Sequence, residues 1–562
     1  MRKLIARLSR VRFPEDQVYL ALTLIIGALV GLVVVAFILL SEQIGSRMYP
    51  LEGAAWRRLV IPVVGALVTG YLLARYFPAA RGSGIPQTKV AMLLEGGYIS
   101  TWTVVGRFIC SSAALASGIA LGREGPSVQV GSGIASIIGR RIGLGRARVR
   151  ALIPVGAAAA VSAAFNTPIS GVLFALEEVM GDLHAPVLGS AVIASGTAWV
   201  VLHSLLGSEP LFHVPEYQLL HPIEFAIYAI LGVVGGFGSL AFVKLTLLMR
   251  SRFLKLPAST RWMHPAVGGL VVGVLALWVP QVLGVGYDFV SQVLNEEVSV
   301  KFVLTLFVLK LIASSSCYAS GNSGGIFGPS LFFGAMLGAG VGSVAHALLP
   351  MHIASPGAYA LVGMGATFAG IIRVPLTSVF MIFELTRDYA IVVPLMIANL
   401  VSLAISRKFQ RVPIYEALTL QDGIHLPRPA REWEESGLYV SEVMRSDVPV
   451  LPAATPVKEL PPAIPGFVVV SEDGVAAAFS SKDARVLRTK ERNGDAPIGE
   501  LMDKDITYPH VHPDQALEEA LERLEDAEVD VIAVLDRADT QNILGIAMID
   551  DVRRRFLSAT GA

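Results

Sequence analysis

Charge is scarce in this chain. Asp, Glu, Lys and Arg make up 16% of its 562 residues, and 53% are hydrophobic. The mean hydropathy is +0.61. Soluble domains carry about 25% charged residues. The composition therefore excludes a soluble enzyme of ordinary make-up and indicates a multi-pass membrane protein. Net charge is absent too, with 45 basic and 45 acidic residues, so no electrostatic case exists for a nucleic-acid partner or an acidic substrate. Cysteine is limited to Cys110 and Cys317, both in apolar segments. That excludes a disulfide framework and zinc spacing, and leaves core packing as their reading. A His-Glu-x-x-His metal motif is missing, as is a nucleophile with an evident base. A cleavable signal peptide is also not expected. The first apolar run, Val18 to Leu40, is too long for one and suits a first membrane helix, which needs about 20 residues.

What is present is glycine, proline and long apolar stretches. Residues 1–16 carry Arg2, Lys3, Arg7, Arg10 and Arg12 ahead of the first span, which places the N-terminus in the cytoplasm by the positive-inside rule. Apolar segments follow to about Ile405, many of them short or broken by glycine. Residues 421–437 are polar and read as a linker. Residues 438–562 read as a small soluble α/β domain.

The membrane part repeats itself. Pro62, Gly65, Leu67 and Gly70 recur as Pro265, Gly268, Leu270 and Gly273. Gly82-Ser-Gly84 aligns with Gly284-Val-Gly286, and Gly122-Arg-Glu-Gly-Pro126 with Gly325-Ile-Phe-Gly-Pro329. Pro168 to Glu177 aligns with Pro375 to Glu384. Four matches in order, at a nearly constant offset, indicate duplication. The halves are expected at 17–215 and 216–420. Basic loops in one half face non-basic counterparts in the other. Arg140, Arg141, Arg146, Arg148 and Arg150 match a stretch near 343–357 without Lys or Arg. Arg250, Arg252, Lys255 and Arg261 match a mixed-charge stretch near 42–57. This is the pattern of repeats inverted across the membrane, in which paired broken helices point to a midplane binding site.

Gly122–Pro126 is the costliest stretch. A charged side chain near the bilayer centre costs at least ~2.5–3.5 kcal/mol on insertion scales. Its glycines and proline break a helix and open a new one. Helix N-termini offer free N–H groups and partial positive charge, so several aimed at one point bind an anion without Lys or Arg. Gly82-Ser83-Gly84-Ile85-Pro86 opens a helix the same way, and Ser83 adds a hydroxyl. Gly325–Pro329 offers the Ile326 and Phe327 amides. Glu124 is an anion at a helix N-terminus, so it can compete with a diffusible anion, and protonation would end that competition. The alternative is a loop-holding pair with Arg123, although adjacent helical residues do not face each other. A second carboxylate for proton passage comes from Glu177 or Glu178. Glu177 has a repeat counterpart in Glu384, which suggests a duplicated structural role, whereas Glu178 aligns with Leu385. Glu178 is the better relay candidate; the alternative is a helix-end glutamate meeting cytoplasmic water.

The Gly82–Pro86, Gly122–Pro126 and Gly325–Pro329 signatures, in this order in an inverted repeat, resemble those of the CLC family of chloride channels and proton-coupled chloride antiporters. The likeness covers roughly residues 15–420. It implies an α-helical multi-pass membrane protein with broken helices, working as a homodimer with one pathway per subunit. It implies chloride coordination by Ser83, the Ile326 and Phe327 amides, and Tyr415 in Pro413-Ile-Tyr-Glu416. Glu124 matches the external gating glutamate and Glu178 the internal proton-transfer glutamate. Serine at position 83 resembles the chloride-preferring members. A chloride/proton antiporter of the plasma (inner) membrane with cytoplasmic termini is expected, with a passive chloride channel of the same fold as the alternative. An intramembrane enzyme using Glu124 and Glu178 is the reading from another class, and the missing catalytic motifs stand against it.

The tail also repeats. Glu442-Val-Met444 matches Glu500-Leu-Met502, and the apolar runs Phe467–Val470 and Val531–Leu535 follow proline-marked turns. It resembles a tandem CBS pair. Such pairs hold nucleotide with a Ser/Thr-x-x-Asp. The first copy has Ser480-x-x-Asp483, and the second has Met548-x-x-Asp551, lacking the hydroxyl. An adenine nucleotide there competes with a structural or dimer-contacting tail without ligand. No metal or other cofactor is expected.

Overall fold

The computed structural model describes residues 15–50, 53–183, 187–207, 212, 214, 221–295, 298–350, 353–424, 426, 438–460, 466–471, 474–490, 494–501, 509–527, 529–537, 539 and 542–560. The basic segment before Glu15, the 215/216 repeat boundary and residues 425 and 427–437 of the expected linker lie outside them. The chain forms two compact units, residues 1–426 and 427–562.

The first unit is helical. Its first half contains α1 (Glu15–Met48), α2 (Ala55–Arg75), α3 (Ile85–Leu93), α4 (Thr101–Ala116), α5 (Glu124–Ile142), α6 (Arg146–Phe165), α7 (Pro168–Phe174) and α8 (Leu188–Leu206). The second contains α9 (Ile223–Leu254), α10 (His264–Trp278), α11 (Tyr287–Asn295), α12 (Val300–Ala319), α13 (Phe327–Leu348), α14 (Pro356–Ile372), α15 (Pro375–Thr386) and α16 (Val392–Phe409). α17 (Ile414–Gln421) follows. Each helix of the first half thus has a counterpart eight helices later. Among the described residues, eight helices are long and apolar enough to cross a membrane. The sequence expectation of short, broken segments holds for α3, α7 and α11, which have 9, 7 and 9 residues. Short helices leave their ends inside the protein, where a polar ligand can meet them.

Contacts between the halves are reciprocal, as a two-fold relation requires. Gly122 and Gly325 donate their N–H groups to each other's carbonyls, both at 2.7 Å. α2 packs on its counterpart α10 through small residues: a Cβ on the marker glycine Gly273 would collide with the Leu59 carbonyl oxygen, and one on Gly269 with that of Pro62, so these glycines let two backbones approach. Glu177 accepts from the N–H groups of Leu376 (3.2 Å) and Thr377 (2.8 Å) and from the Thr377 hydroxyl, at the start of α15. Glu384 accepts from Ile169 N–H (2.8 Å), Ser170 N–H (2.7 Å) and the Ser170 hydroxyl, at the start of α7. Each glutamate caps the other half's helix. A helix whose first N–H groups are buried needs such an acceptor, and this accounts for the duplication of Glu177.

The second unit carries two three-stranded sheets of one design. In the first, β1 (Val450–Pro452) pairs parallel with β2 (Gly466–Ser471), which pairs antiparallel with β3 (Gly474–Ser480). In the second, β4 (His510–Val511) pairs parallel with β5 (Val531–Leu535), and β5 antiparallel with β6 (Ile543–Met548). Val468 and Ala478 of one sheet pack with Val531, Ala533 and Ile546 of the other in one buried cluster. Helices α18 (Ser481–Lys490), α19 (Ile498–Leu501), α20 (Leu517–Asp526) and α21 (Ile549–Thr560) complete the unit. In the second copy α20 precedes the central strand; the region between Leu460 and Phe467, where a shortened first copy is expected, falls mostly outside the described residues.

Candidate ion-coupling site

Three broken helices meet at the Gly122–Gly325 exchange. Gly84 ends the turn before α3 with φ +99°, in the region that favours glycine, and a Cβ there would lie 2.6 Å from the Gly125 carbonyl oxygen. The backbones before α3 and at the start of α5 can therefore touch only because both positions are glycine. α5 begins at Glu124, and α13 at Phe327. These are the three helix starts expected from the sequence, and the structure brings them together.

Ser83 is fully buried and Tyr415 is 1% exposed. Their hydroxyl oxygens are buried, lie near one another and make no well-formed hydrogen bond to the protein. A buried hydroxyl without a partner costs about 1–3 kcal/mol. Two side by side fit an anion that accepts from both. Ile326 and Phe327 are fully buried, with the Phe327 amide opening α13. The Phe327 ring packs against Phe165, Phe174 and Phe368, with centroids 4.7, 5.5 and 4.3 Å away.

Glu124 is fully buried. Its carboxylate is not the ion-pair partner of Arg123. One oxygen accepts from the Tyr287 hydroxyl and the other from the Gly328 N–H, at 3.3 Å. Gly328 lies in the first turn of α13, so a first-half carboxylate sits at the second half's helix N-terminus. Arg123 turns away: it forms an ion pair with Glu42, and its guanidinium lies 5.7 Å from the centre of the Tyr287 ring.

Glu178 is 6% exposed and pairs with Lys89 at 2.8 Å. It lies in a π-helical turn, Ala175–Met180, directly after α7, whereas the counterpart α15 runs on as a regular α-helix. Wide turns of this kind recur at functional sites. Here adjacent glutamates do different work: Glu177 caps α15 and Glu178 meets Lys89. Lys89 stands on α3, five residues beyond Gly84, about 8 Å along the axis at 1.5 Å per residue. One short helix therefore joins the Ser83 turn to the Glu178 ion pair.

Two buried cations hold the glycine turns. Arg107 donates to the carbonyls of Gly82 and Arg81 (2.5 and 3.2 Å). Lys310, its counterpart 203 residues on, donates to those of Val282 and Gly284 (2.9 and 2.6 Å).

The tail candidates have partners within the protein. Asp483 accepts from the Ser480 amide (2.8 Å) and hydroxyl (2.6 Å), which caps α18. Asp551 pairs with Arg445 at 2.7 Å. Among the described residues, no cluster of His, Cys, Asp and Glu suits a metal ion.

Residues 64–407 match the family model for the voltage gated chloride channel. The chain belongs to that family. Residues 498–558, the second tail copy, match the CBS domain model. Among curated relatives of the voltage gated chloride channel family, the H(+)/Cl(-) exchange transporter ClcA of Vibrio campbellii is 32% identical over 429 residues, covering 73% of this chain and 91% of its own length. A ClcB-like protein of Ralstonia nicotianae, whose name describes a chloride channel, is 34% identical over 349 residues, 61% of this chain and 81% of its own. The crystal structure of a slow cyanobacterial Cl-/H+ antiporter superposes with a TM-score of 0.65 at 24% identity, covering 72% of this chain and 97% of that one, and shows the same membrane fold.

Three partners were not singled out from the sequence. Tyr287 directly follows the duplicated Gly284-Val-Gly286, and its counterpart is the apolar Ile85. Lys89 is an ionisable residue in an apolar helix, which is a functional signal by default. Glu42 near the end of α1 carried no such signal, because helix ends meet water.

Proposed function

We propose that the protein is a chloride/proton antiporter. The observation that carries this reading is the Glu124 carboxylate bound at the N-terminus of α13, beside the amides that suit chloride. The carboxylate and a diffusible anion claim the same electrostatic position. Protonation neutralises Glu124, weakens its attraction to the helix end and releases the position to chloride; deprotonation reverses the step. Ser83 and Tyr415 hold chloride deeper with hydroxyl donors, strongly enough to bind and weakly enough to release. Glu178 receives the proton from the other face, with Lys89 steadying its charged form.

The name of the Vibrio relative and the pairing of Glu124 with Glu178 as two buried carboxylates support exchange over passive conduction. Assembly as a homodimer rests on the family likeness, and mass in detergent by light scattering checks it. Cytoplasmic termini rest on the basic residues before Val18 and after Ser406, and residence in the plasma (inner) membrane rests on the likeness to bacterial transporters. The test of function is reconstitution into liposomes under a chloride gradient. Internal pH should shift as protons move against their own gradient. Chloride flux without that movement would reassign the protein as a channel.

A further inference from the structure

A cavity of about 560 Å³ opens beside Gly82, one residue before the Ser83 turn. Its volume is many times that of a chloride ion and falls among small-molecule sites, roughly 300–1,000 Å³. Three arginines line it, Arg81, Arg250 and Arg261, against one carboxylate, Asp422. Asp422 is already the partner of Arg250, at 2.6 Å. Among the described residues, Arg81 donates from its Nη2 alone, to the carbonyls of Arg261 (3.2 Å) and Ser320 (3.1 Å). Its Nε lies against Gly321, and among the described residues its Nη1 makes no hydrogen bond to the protein. Gly321, with φ +90°, lies under this guanidinium, and any side chain there would collide with it. Phe253 and His264 add an aromatic wall, with ring centres 5.6 Å apart. The surrounding segment, from Met249 at the end of α9 to Trp262, holds four basic residues and no acid, and so belongs to the cytoplasmic side by the positive-inside rule.

We propose that this cavity binds an anion bearing two or three linked phosphates, clamped by Arg81 and Arg261, which stops chloride between the cytoplasm and Ser83. Guanidinium forks match phosphate oxygens in pairs of hydrogen bonds. A polyphosphate also places several negative charges beside the Gly82 turn, next to Ser83. The group can be a free oligophosphate or part of a nucleotide whose base rests on Phe253. The blocking step rests on the chloride-transport reading; the binding step does not.

The test is calorimetric titration of the purified full-length protein in low-salt gluconate buffer with tripolyphosphate, and separately with ATP. Saturable binding of tripolyphosphate is expected, weakened at least tenfold in Arg261→Gln, which lies on the exposed rim, and further in Arg81→Gln. ATP binding tenfold tighter than tripolyphosphate would add the aromatic wall to the site; equal affinity would make the phosphates the whole ligand. Asp483→Ala in the tail should leave both titrations unchanged. No saturable binding of either compound, or binding unaltered in Arg261→Gln, overturns the site. In liposomes, tripolyphosphate should slow chloride flux several-fold from the cytoplasmic face alone. Binding without any slowing overturns the block, while absence of flux before any addition counts against the transport reading instead.

Discussion

In the first half of the membrane unit the Gly122 exchange is followed by a carboxylate; in the second half the Gly325 exchange is followed by a phenyl ring. The backbone is common to both. Each stretch has glycine at the crossing, a glycine three residues on and proline closing the first turn, and the two crossings donate to each other at equal length. The side chains diverge. Phe327 is held by three aromatic rings and is fixed, while Glu124 is held by one hydroxyl and one long amide bond, which protonation can release. Duplication supplied the frame, and asymmetry supplied the titratable side chain. The same division recurs two helices later, where Glu177 and Glu384 are matched caps and Glu178, without a counterpart, meets Lys89.

The comparison can be broken most severely by equalising the two stretches. Phe327→Glu would bury a second carboxylate inside the aromatic cluster and lose the ring packing, a loss of about 3–5 kcal/mol for the ring alone. The expected result is no monodisperse folded protein on gel filtration. Next, Glu178→Gln should abolish proton movement in liposomes while chloride still flows; retained coupling would move the relay to another residue. Lys89→Met should leave Glu178 buried without its cation, making it harder to ionise, and so shift the pH dependence of coupling to higher pH. A smaller and equal effect is expected for the matched caps. Glu177→Gln and Glu384→Gln should each lower thermal stability by about 1–2 kcal/mol and leave proton coupling intact. Unequal losses, or lost coupling in Glu177→Gln alone, would break the symmetry argued for them.

The frame was legible in the sequence because glycine and proline report backbone directly. The repeat, the three helix starts and the structural role of Glu177 all follow from spacing. Tyr287 and Lys89 were not legible as partners, because a contact between distant positions leaves no local pattern. The fate of Arg123 was open for the same reason: only three dimensions show that Glu42, not Glu124, takes it. In the tail, Ser480-x-x-Asp483 reads equally as a nucleotide motif and as a helix cap, and the cap is what the structure forms.

Glu124→Gln, set beside the unmodified protein in chloride-loaded liposomes, tests the central claim most directly. The amide keeps the size of the carboxylate and removes its charge and its proton. The unmodified protein should drive protons uphill, and the variant should pass chloride with no proton movement at all. Uphill proton transport persisting in Glu124→Gln would contradict the assignment of the gate to the one half that carries the carboxylate.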